Sequence, residues 1–240
     1  TAHYDGAIAD YLGARGDDGV ERFGETVHFG FAKAQSLRYG ENPHQGAALY
    51  GGFLKNVEQL HGKELSYNNI VDINAALALM LEFVDDEPTV AILKHNTPCG
   101  VGAGDSVGDA YRRAFATDPE SPFGGILIAN RTWDLELARE VDEIFTEVLI
   151  APAFSDDALE FLRKKKNRRL MRWDAAATRA FAGRELRGVF GGALVMDADL
   201  AMEDVRAAKV VTERTPSAAE FAALQFGLKV VKHVKSNAIT

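Results

Sequence analysis

Residues 89–129 read TVAILKHNTPCGVGAGDSVGDAYRRAFATDPESPFGGILIA, and this stretch decides the fold. Two short apolar runs within it, Thr89–Leu93 and Gly125–Ala129, have the length and composition of buried strands. Between them, the spacing predicts a loop over Pro98–Gly102 and then a helix over Val107–Phe115. A strand, a helix and a second strand in this order are typical of an α/β domain.

The alternation of helices and strands continues toward the C-terminus. The spacing predicts a helix over Leu135–Phe145, a strand over Val148–Ala151 and a helix over Ser155–Leu162. Strands that alternate with helices form a mostly parallel sheet with right-handed crossovers. Because ligands of such sheets bind beyond strand ends, we expect a site where Lys94-His95 follow one strand and Phe123-Gly124 precede the next.

Upstream of this region the pattern is less regular. It predicts a helix over Tyr4–Leu12, a strand over His28–Ala34 and a turn over Leu37–Gln45, which contains a glycine and a proline. Apolar residues then recur at helical spacing after Asp72, which we interpret as the N-cap of a helix that ends before Pro88.

The last third of the chain contains two further predicted elements. Val189–Met196 has the composition of a strand, with the Gly191-Gly192 pair as a bulge or a turn. Ser217 and Glu220 form the pattern of a capping box, and apolar residues at helical spacing follow it as far as Val231.

Composition limits the classes of function. The chain has 240 residues, of which 47% are hydrophobic and 26% are charged, as in an ordinary globular protein. The formal net charge of −8 argues against nucleic-acid binding, and no apolar run has the length of a membrane span. The single cysteine excludes an intramolecular disulfide and, in the absence of a secretory signal, favours the cytoplasm.

The adjacent pair Lys94-His95 is the sharpest candidate for catalysis. Two neighbouring basic groups repel each other when both are protonated, which favours a neutral histidine near pH 7 that can accept a proton. The lysine would then keep its charge and stabilise a developing oxyanion. On spacing alone, the alternative of a surface lysine beside a core-edge histidine is favoured.

Other polar residues are weaker candidates. Cys99 lies four residues beyond His95, but a lone cysteine is more often a small buried residue in a turn than a nucleophile. Pro98-Cys99 matches half of the zinc-binding P-C-x-x-C pattern of nucleobase deaminases, yet position 102 is glycine, so no metal is expected.

Two basic segments could bind an anion. Arg38-Tyr39 lie in the Gly-containing turn, where the guanidinium fork suits a phosphate or a carboxylate. The run Lys164–Arg169 could attract a polyanionic substrate, although such a run is more often a solvated helix end.

Six strings in the sequence together resemble the AICAR transformylase family. In order along the chain they are LRYGENPHQ (37–45), GKELSYNNIVD (62–72), KHNTPCG (94–100), SPFGG (121–125), IAPAF followed by KKKN (150–167), and KSNAI (235–239). The resemblance implies transfer of a formyl group from the cosubstrate 10-formyltetrahydrofolate to the 5-amino group of AICAR, giving formyl-AICAR in late purine biosynthesis. It also implies a homodimer, and a parent protein that commonly carries an IMP cyclohydrolase domain.

The resemblance assigns roles to residues by their positions in these strings. His95 would be the general base on the amine, and Lys94 would support the oxyanion. The residues implied to bind the substrate are Arg38, Tyr39, Asn69, Phe123, Gly124, Glu147 and Asn237.

The family fold consists of two cytidine-deaminase-like α/β/α units with a mostly parallel or mixed sheet and no zinc. We therefore expect residues 1–180 to form a first unit with an N-terminal linker, and residues 181–240 to begin a second, truncated unit. Family members continue well beyond KSNAI, so we expect this chain to be a fragment that is inactive by itself. The alternative hypothesis is a non-catalytic AICAR-binding fragment of that enzyme.

Overall fold

A computed structural model describes residues 1–16, 19–20, 22–181 and 183–240. Its helices and strands alternate along most of the chain. The helices are α1 (Ala2–Gly13), α2 (Phe53–Asn56), α3 (Tyr67–Leu81), α4 (Val107–Thr117), α5 (Leu135–Val141), α6 (Asp156–Leu162), α7 (Ala175–Phe181) and α8 (Ala218–Val231). The strands are β1 (Arg15–Gly16), β2 (Gly19–Val20), β3 (Lys33–Leu37), β4 (Ala47–Tyr50), β5 (Val57–His61), β6 (Thr89–Lys94), β7 (Thr97–Ala103), β8 (Gly125–Ala129), β9 (Thr146–Ala151), β10 (Arg169–Trp173), β11 (Arg184–Val189) and β12 (Gly192–Asp197).

Six strands form a central mixed sheet in the order β5-β10-β9-β8-β6-β7. β8, β9 and β10 run parallel to one another, whereas β5, β6 and β7 each pair antiparallel with their neighbours. The predicted α/β class is confirmed, and of the two predicted kinds of sheet, mostly parallel or mixed, the structure has the mixed one. A tight hairpin joins β6 to β7, and β8 pairs antiparallel with the other side of β6, so β6 runs opposite to both of its neighbours.

Apolar residues from both faces of the sheet enter two separate cores. On one face, Val90, Ile92 and Leu127 pack with residues of α4, α5 and α6. On the other face, Ala91 and Leu93 pack with residues of α3, and side chains of α8 join them. Burial on both faces explains why these strands read as continuous apolar runs rather than as alternating patterns.

The segment Pro98–Gly102, predicted as a loop, is part of strand β7. Its glycines recur at every second position, so they share one face of the strand, and α4 packs against that face. A Cβ added to Gly100 would lie 2.0 Å from the carbonyl oxygen of Ala114, and one added to Gly102 would lie 2.3 Å from that of Ala110. The glycines therefore mark a close approach of helix to strand, and the loop prediction was wrong because it took them as turn residues.

We expect Gly100→Ala to lower the free energy of unfolding by about 2 kcal/mol, because the new methyl group overlaps backbone that cannot move cheaply. Urea denaturation followed by circular dichroism measures the effect. Gly188→Ala on the exposed strand β11 is the matched control, since no atom of the described residues lies within 4 Å of its added Cβ. Equal stability of the two variants would contradict close packing of α4 on β7.

Three predicted element boundaries need correction. Asp72 is not an N-cap but lies inside α3, which begins after Ser66; the Ser66 hydroxyl accepts from the N–H of Asn69, and the Asn69 side chain accepts from the N–H of Ser66. The predicted strand His28–Ala34 is shifted to Lys33–Leu37, because that segment is the one that pairs with β4. The helix predicted over Leu135–Phe145 ends at Val141, where the chain turns to enter β9.

Several other predictions are confirmed. Strand β8 has the predicted bounds, and β6 and β9 extend the predicted runs by one and two residues. The turn predicted at Gly191-Gly192 lies one residue earlier, at Phe190-Gly191, where it connects β11 to β12, so the predicted strand Val189–Met196 is divided between these two strands. Ser217 and Glu220 form the predicted capping box of α8.

No helix in the described ranges is long and apolar enough to cross a bilayer.

Helix α8 is attached to the end of α3 by a cluster of charges. The Nζ atom of Lys232 lies 2.8 Å from a carboxylate oxygen of Glu82, and the Nε2 atom of His233 lies 3.4 Å from the same oxygen. Nearby, the Phe226 ring packs on that of Phe83 with 5.2 Å between centroids. The prediction of two structural units, residues 1–180 and residues 181–240, stays a prediction.

This cluster predicts a pH-dependent stability. Burial alone would raise the pKa of Glu82, but hydrogen bonds and charges from His233 and Lys232 outweigh burial and lower the pKa below its ordinary 4.5. A carboxylate with a lowered pKa stabilises the fold above its unfolded pKa and loses this contribution as the pH falls through its folded pKa. We therefore expect Glu82→Gln to cost about 1.5 kcal/mol at pH 7 and progressively less below about pH 4.5.

Urea denaturation at a series of pH values measures this difference. Glu58→Gln serves as the control, because Glu58 pairs with Arg172 on the surface, where both side chains are more than half exposed. An exposed pair contributes little at any pH. A Glu82→Gln cost that stays constant down to pH 2 would contradict the assignment.

Candidate functional site

One edge of the sheet collects the ends of all six strands. The C-terminal ends of β5 and β6 lie there beside the N-terminal ends of β7, β8, β9 and β10, as the registers of the pairs require. In a mostly parallel sheet, Lys94 at the end of β6 and Phe123-Gly124 before β8 would lie at opposite edges. They lie at the same edge because β6 and β8 are antiparallel.

His95 and Asn96 form the two-residue turn of the β6–β7 hairpin. The flanking residues Lys94 and Thr97 pair across it, and both turn residues have positive φ, 52° for His95 and 65° for Asn96. Positive φ at both central residues is the pattern of a type I′ turn, which matches the twist of a hairpin. The turn presents the His95 side chain at the tip of the hairpin, beyond the sheet edge.

Lys94 contacts the turn that precedes β8. Its Nζ atom donates a hydrogen bond to the carbonyl oxygen of Phe123 at 3.1 Å. Gly124 has a φ of 74°, and the N–H of Gly125 donates to the carbonyl of Pro122 at 2.9 Å, so a tight turn with a glycine at its third position supports this carbonyl. An ammonium has three donors, and one bond to Phe123 leaves two for a ligand.

Phe145 completes this part of the edge. Its carbonyl accepts the N–H of Gly124 at 2.7 Å, and its ring lies 5.4 Å from that of Phe123 between centroids. Both rings are at least half exposed. Two exposed aromatic rings beside a lysine offer an apolar surface on which a flat ligand can stack.

A second polar group on the same edge centres on Glu147, the second residue of β9. Its Oε1 atom accepts from the side-chain amide of Asn69 at 3.1 Å and from the guanidinium of Arg169 at 3.0 Å. Arg169 also donates to the carbonyl oxygen of Glu64 through Nε at 3.3 Å and Nη2 at 3.1 Å. Both donors reach the same carboxylate oxygen, and no contact to Oε2 is found among the described residues, so this oxygen can accept from a ligand.

A cavity of about 340 Å³ lies beside the hairpin turn. His95 and Asn96 line it from the turn and Asp72 from α3, together with Lys235 and Glu41. Burial raises the pKa of Asp72 above its ordinary 3.8; the charge of Glu147 adds to this, while the Asn96 N–H bond, His95 and Lys235 oppose it. A larger groove of about 920 Å³ lies along α8, is mainly apolar and shares no lining residue with this cavity.

Three predicted binding residues are not joined to this centre by a described contact. Arg38 is exposed and lies over the ring of its neighbour Tyr39, 5.7 Å from the ring centroid; their loop reaches the cavity through Glu41. Asn237 is exposed and lies two residues beyond Lys235, which lines the cavity. The structure thus brings together Lys94, His95, Phe123, Gly124, Asn69 and Glu147 along one edge.

Sequence reasoning missed three residues of this edge. Arg169 belonged to a run interpreted as one basic segment, yet it is buried, whereas Lys164–Lys166 are exposed. Its position directly before an apolar strand was the available signal. Asp72 was interpreted as a helix cap, and Phe145 as the end of a helix, so neither suggested a site.

Cys99 lies in β7 and not in the predicted turn. Burial raises the pKa of its thiol, Asp118 adds to the effect, and Lys94 opposes it. A raised pKa disfavours the thiolate that a nucleophile requires. Within the described part of the chain, no three His, Cys, Asp or Glu side chains are grouped so that they could hold a metal ion.

Comparisons with known proteins agree on one family. The family model described as "AICARFT/IMPCHase bienzyme" matches residues 1–240. The chain is 51% identical to the bifunctional purine biosynthesis protein PurH of Chloroflexus aurantiacus, and the match covers 100% of this chain and 46% of that relative. It is 48% identical to the proteins of the same name from Chlorobium chlorochromatii and Acidithiobacillus ferrooxidans, again over 100% of the chain and over 47% and 46% of those proteins. The chain therefore spans about half the length of the curated relatives that it matches.

Proposed function

The chain belongs to the AICARFT/IMPCHase bienzyme family, and from this premise we propose that it carries the catalytic pair of a formyltransferase. The reaction transfers a formyl group from 10-formyltetrahydrofolate to the 5-amino group of AICAR and yields formyl-AICAR. The observation that carries the proposal is the placement of Lys94 and His95 on the sheet edge that also holds Phe123 and the Asn69–Glu147–Arg169 cluster.

The amine of AICAR is a poor nucleophile, because its lone pair is conjugated with the ring and the carboxamide. We assign His95 as the general base that accepts the amine proton while the nitrogen attacks the formyl carbon. The tetrahedral intermediate carries an oxyanion, which the Lys94 ammonium stabilises. The oxyanion then re-forms the carbonyl as the bond to N10 of the folate breaks, and N10 takes the proton that His95 accepted, so that tetrahydrofolate leaves and His95 returns to its neutral form.

The remaining predicted residues hold the nucleotide in this proposal. Asn69, Gly124 and Glu147 offer polar groups along the edge, and the exposed ring of Phe123 offers a surface for the base. Arg38 and Tyr39 contact the nucleotide from their loop, and Asn237 contacts the transferring group or the carboxamide. We further propose a cytoplasmic homodimer that binds no nucleic acid and no membrane, in a protein that also carries IMP cyclohydrolase activity.

Two measurements test the proposal. Calorimetry on the chain detects AICAR binding, with ribose 5-phosphate, which lacks the base, as the control ligand. Turnover with 10-formyltetrahydrofolate is measured on the chain and on a segment-exchange protein, in which the chain replaces the matching 46% of the Chloroflexus aurantiacus relative. Binding with turnover supports a formyltransferase. Binding without turnover in either protein favours the alternative, a non-catalytic AICAR-binding protein, and no binding argues against a nucleotide site formed by this chain.

A further inference from the structure

The turn that carries His95 adopts a conformation that its residues do not favour. Both His95 and Asn96 have positive φ, a region that non-glycine residues seldom occupy, although asparagine and histidine enter it more readily than most. Hairpins with this turn prefer Asn-Gly or Asp-Gly. A His-Asn turn therefore needs support from outside the hairpin, and such supported conformations cluster at functional sites.

Asp72 supplies a contact of this kind from α3. Its Oδ1 atom accepts the backbone N–H of Asn96 at 2.8 Å across 24 residues of sequence. Hydrogen bonds to an ionised acceptor are about twice as strong as those between neutral groups. The bond is directed at the second residue of the turn, so it favours the orientation of the peptide that links Asn96 to His95.

We propose that Asp72 is a positioning residue of this site: its carboxylate holds the His95-Asn96 turn in the left-handed conformation and so fixes where the His95 imidazole lies. The catalytic consequence rests on the function proposed above. The contact itself does not, because it concerns the backbone of the turn.

Two features distinguish this role from ordinary packing. Asp72 lines the same cavity as His95 and Asn96, so its carboxylate lies at the site and not in the core that α3 makes with the sheet. Its ionised form is also opposed by burial and by the charge of Glu147. An apolar side chain would avoid both costs at this position but would leave the Asn96 N–H without its acceptor.

Nuclear magnetic resonance on the chain itself tests the contact. We expect the Asn96 amide resonance to titrate with a carboxyl group in the wild type and to lose this titration in Asp72→Asn. We also expect Asp72→Ala to speed hydrogen exchange of the Asn96 amide, while the free energy of unfolding stays close to that of the wild type. An Asn96 amide that is indifferent to both substitutions overturns the proposal.

Turnover of the segment-exchange protein tests the consequence. We expect Asp72→Ala to lower kcat about 100-fold with little change in KM, because a small displacement of a catalytic group costs about that much. Asp72→Asn keeps an oxygen acceptor and should retain most of the activity. Asn96→Gly in the Asp72→Ala background should restore at least about ten-fold, because glycine adopts positive φ without help.

The outcomes separate this inference from the proposed function. If the wild-type segment-exchange protein is inactive, the formyltransferase proposal fails, and the resonance experiment still decides whether Asp72 holds the turn. If the wild type is active but Asp72→Asn loses as much as Asp72→Ala and Asn96→Gly restores nothing, Asp72 acts by its charge and the turn-holding role is overturned.

Discussion

Replacing His95 with alanine is expected to lower the turnover of formyl transfer by about 10²–10⁴, the usual contribution of a positioned general base. The expectation follows from the place of His95 at the tip of the β6–β7 hairpin, next to Lys94, whose ammonium is held at the Phe123 carbonyl. AICAR contacts several other groups in the proposed site, so its affinity should change far less than kcat. Steady-state kinetics and calorimetry on the same preparation of the segment-exchange protein separate the two effects.

The control for this prediction must preserve the turn. Alanine tolerates positive φ poorly, whereas asparagine enters that region readily, so His95→Asn removes the imidazole and keeps a residue suited to the backbone at φ 52°. We expect His95→Asn to lose as much turnover as His95→Ala while unfolding at the same urea concentration as the wild type. If His95→Asn keeps more than about a tenth of the turnover, His95 supports the turn and is not the base.

The sequence predicted three of the six strands of the central sheet, β6, β8 and β9, because their signal is local. Gly125–Ala129 and Thr89–Leu93 are buried on both faces, and such burial leaves a continuous apolar run that composition reveals. Strand β7 was missed for the opposite reason. Gly100 and Gly102 stand in this strand because the backbone of α4 leaves no space for a Cβ atom. From the sequence alone, a glycine required by close helix packing looks the same as a glycine in a turn.

The site could be predicted only in part for a related reason. Lys94, His95 and Phe123-Gly124 were located because each adjoins an apolar strand. These residues lie at one edge because β6 and β8 pair antiparallel. The residues of the two strands do not indicate whether the pairing is parallel or antiparallel. Contacts such as Asp72 with Asn96, or Glu147 with Arg169, join residues 24 and 22 positions apart, and only the assembled fold reveals them.

Among the contacts between residues distant in sequence, those of Arg169 are expected to have the largest effect on stability and on AICAR binding when they are removed. Its guanidinium is nearly buried and joins Glu147 to the carbonyl oxygen of Glu64 through three hydrogen bonds. We expect Arg169→Ala to lower the free energy of unfolding by about 3 kcal/mol, because breaking a buried charged pair leaves its partners unsatisfied. It should also weaken AICAR binding at least about ten-fold, since the Glu147 carboxylate then retains only the Asn69 amide as an anchor.

The same strand offers a matched control. Arg172 also pairs with a glutamate across β10 and β5, but both side chains of that pair are more than half exposed, so Arg172→Ala should change stability by less than about 1 kcal/mol and leave AICAR binding unchanged. Arg169→Lys keeps the charge without the planar fork and should fall between the wild type and Arg169→Ala in both measurements. If Arg169→Lys matches the wild type, charge alone holds Glu147. If Arg169→Ala binds AICAR with unchanged affinity, the Glu147 cluster lies outside the nucleotide site, and the cavity beside His95 must bind the substrate without it.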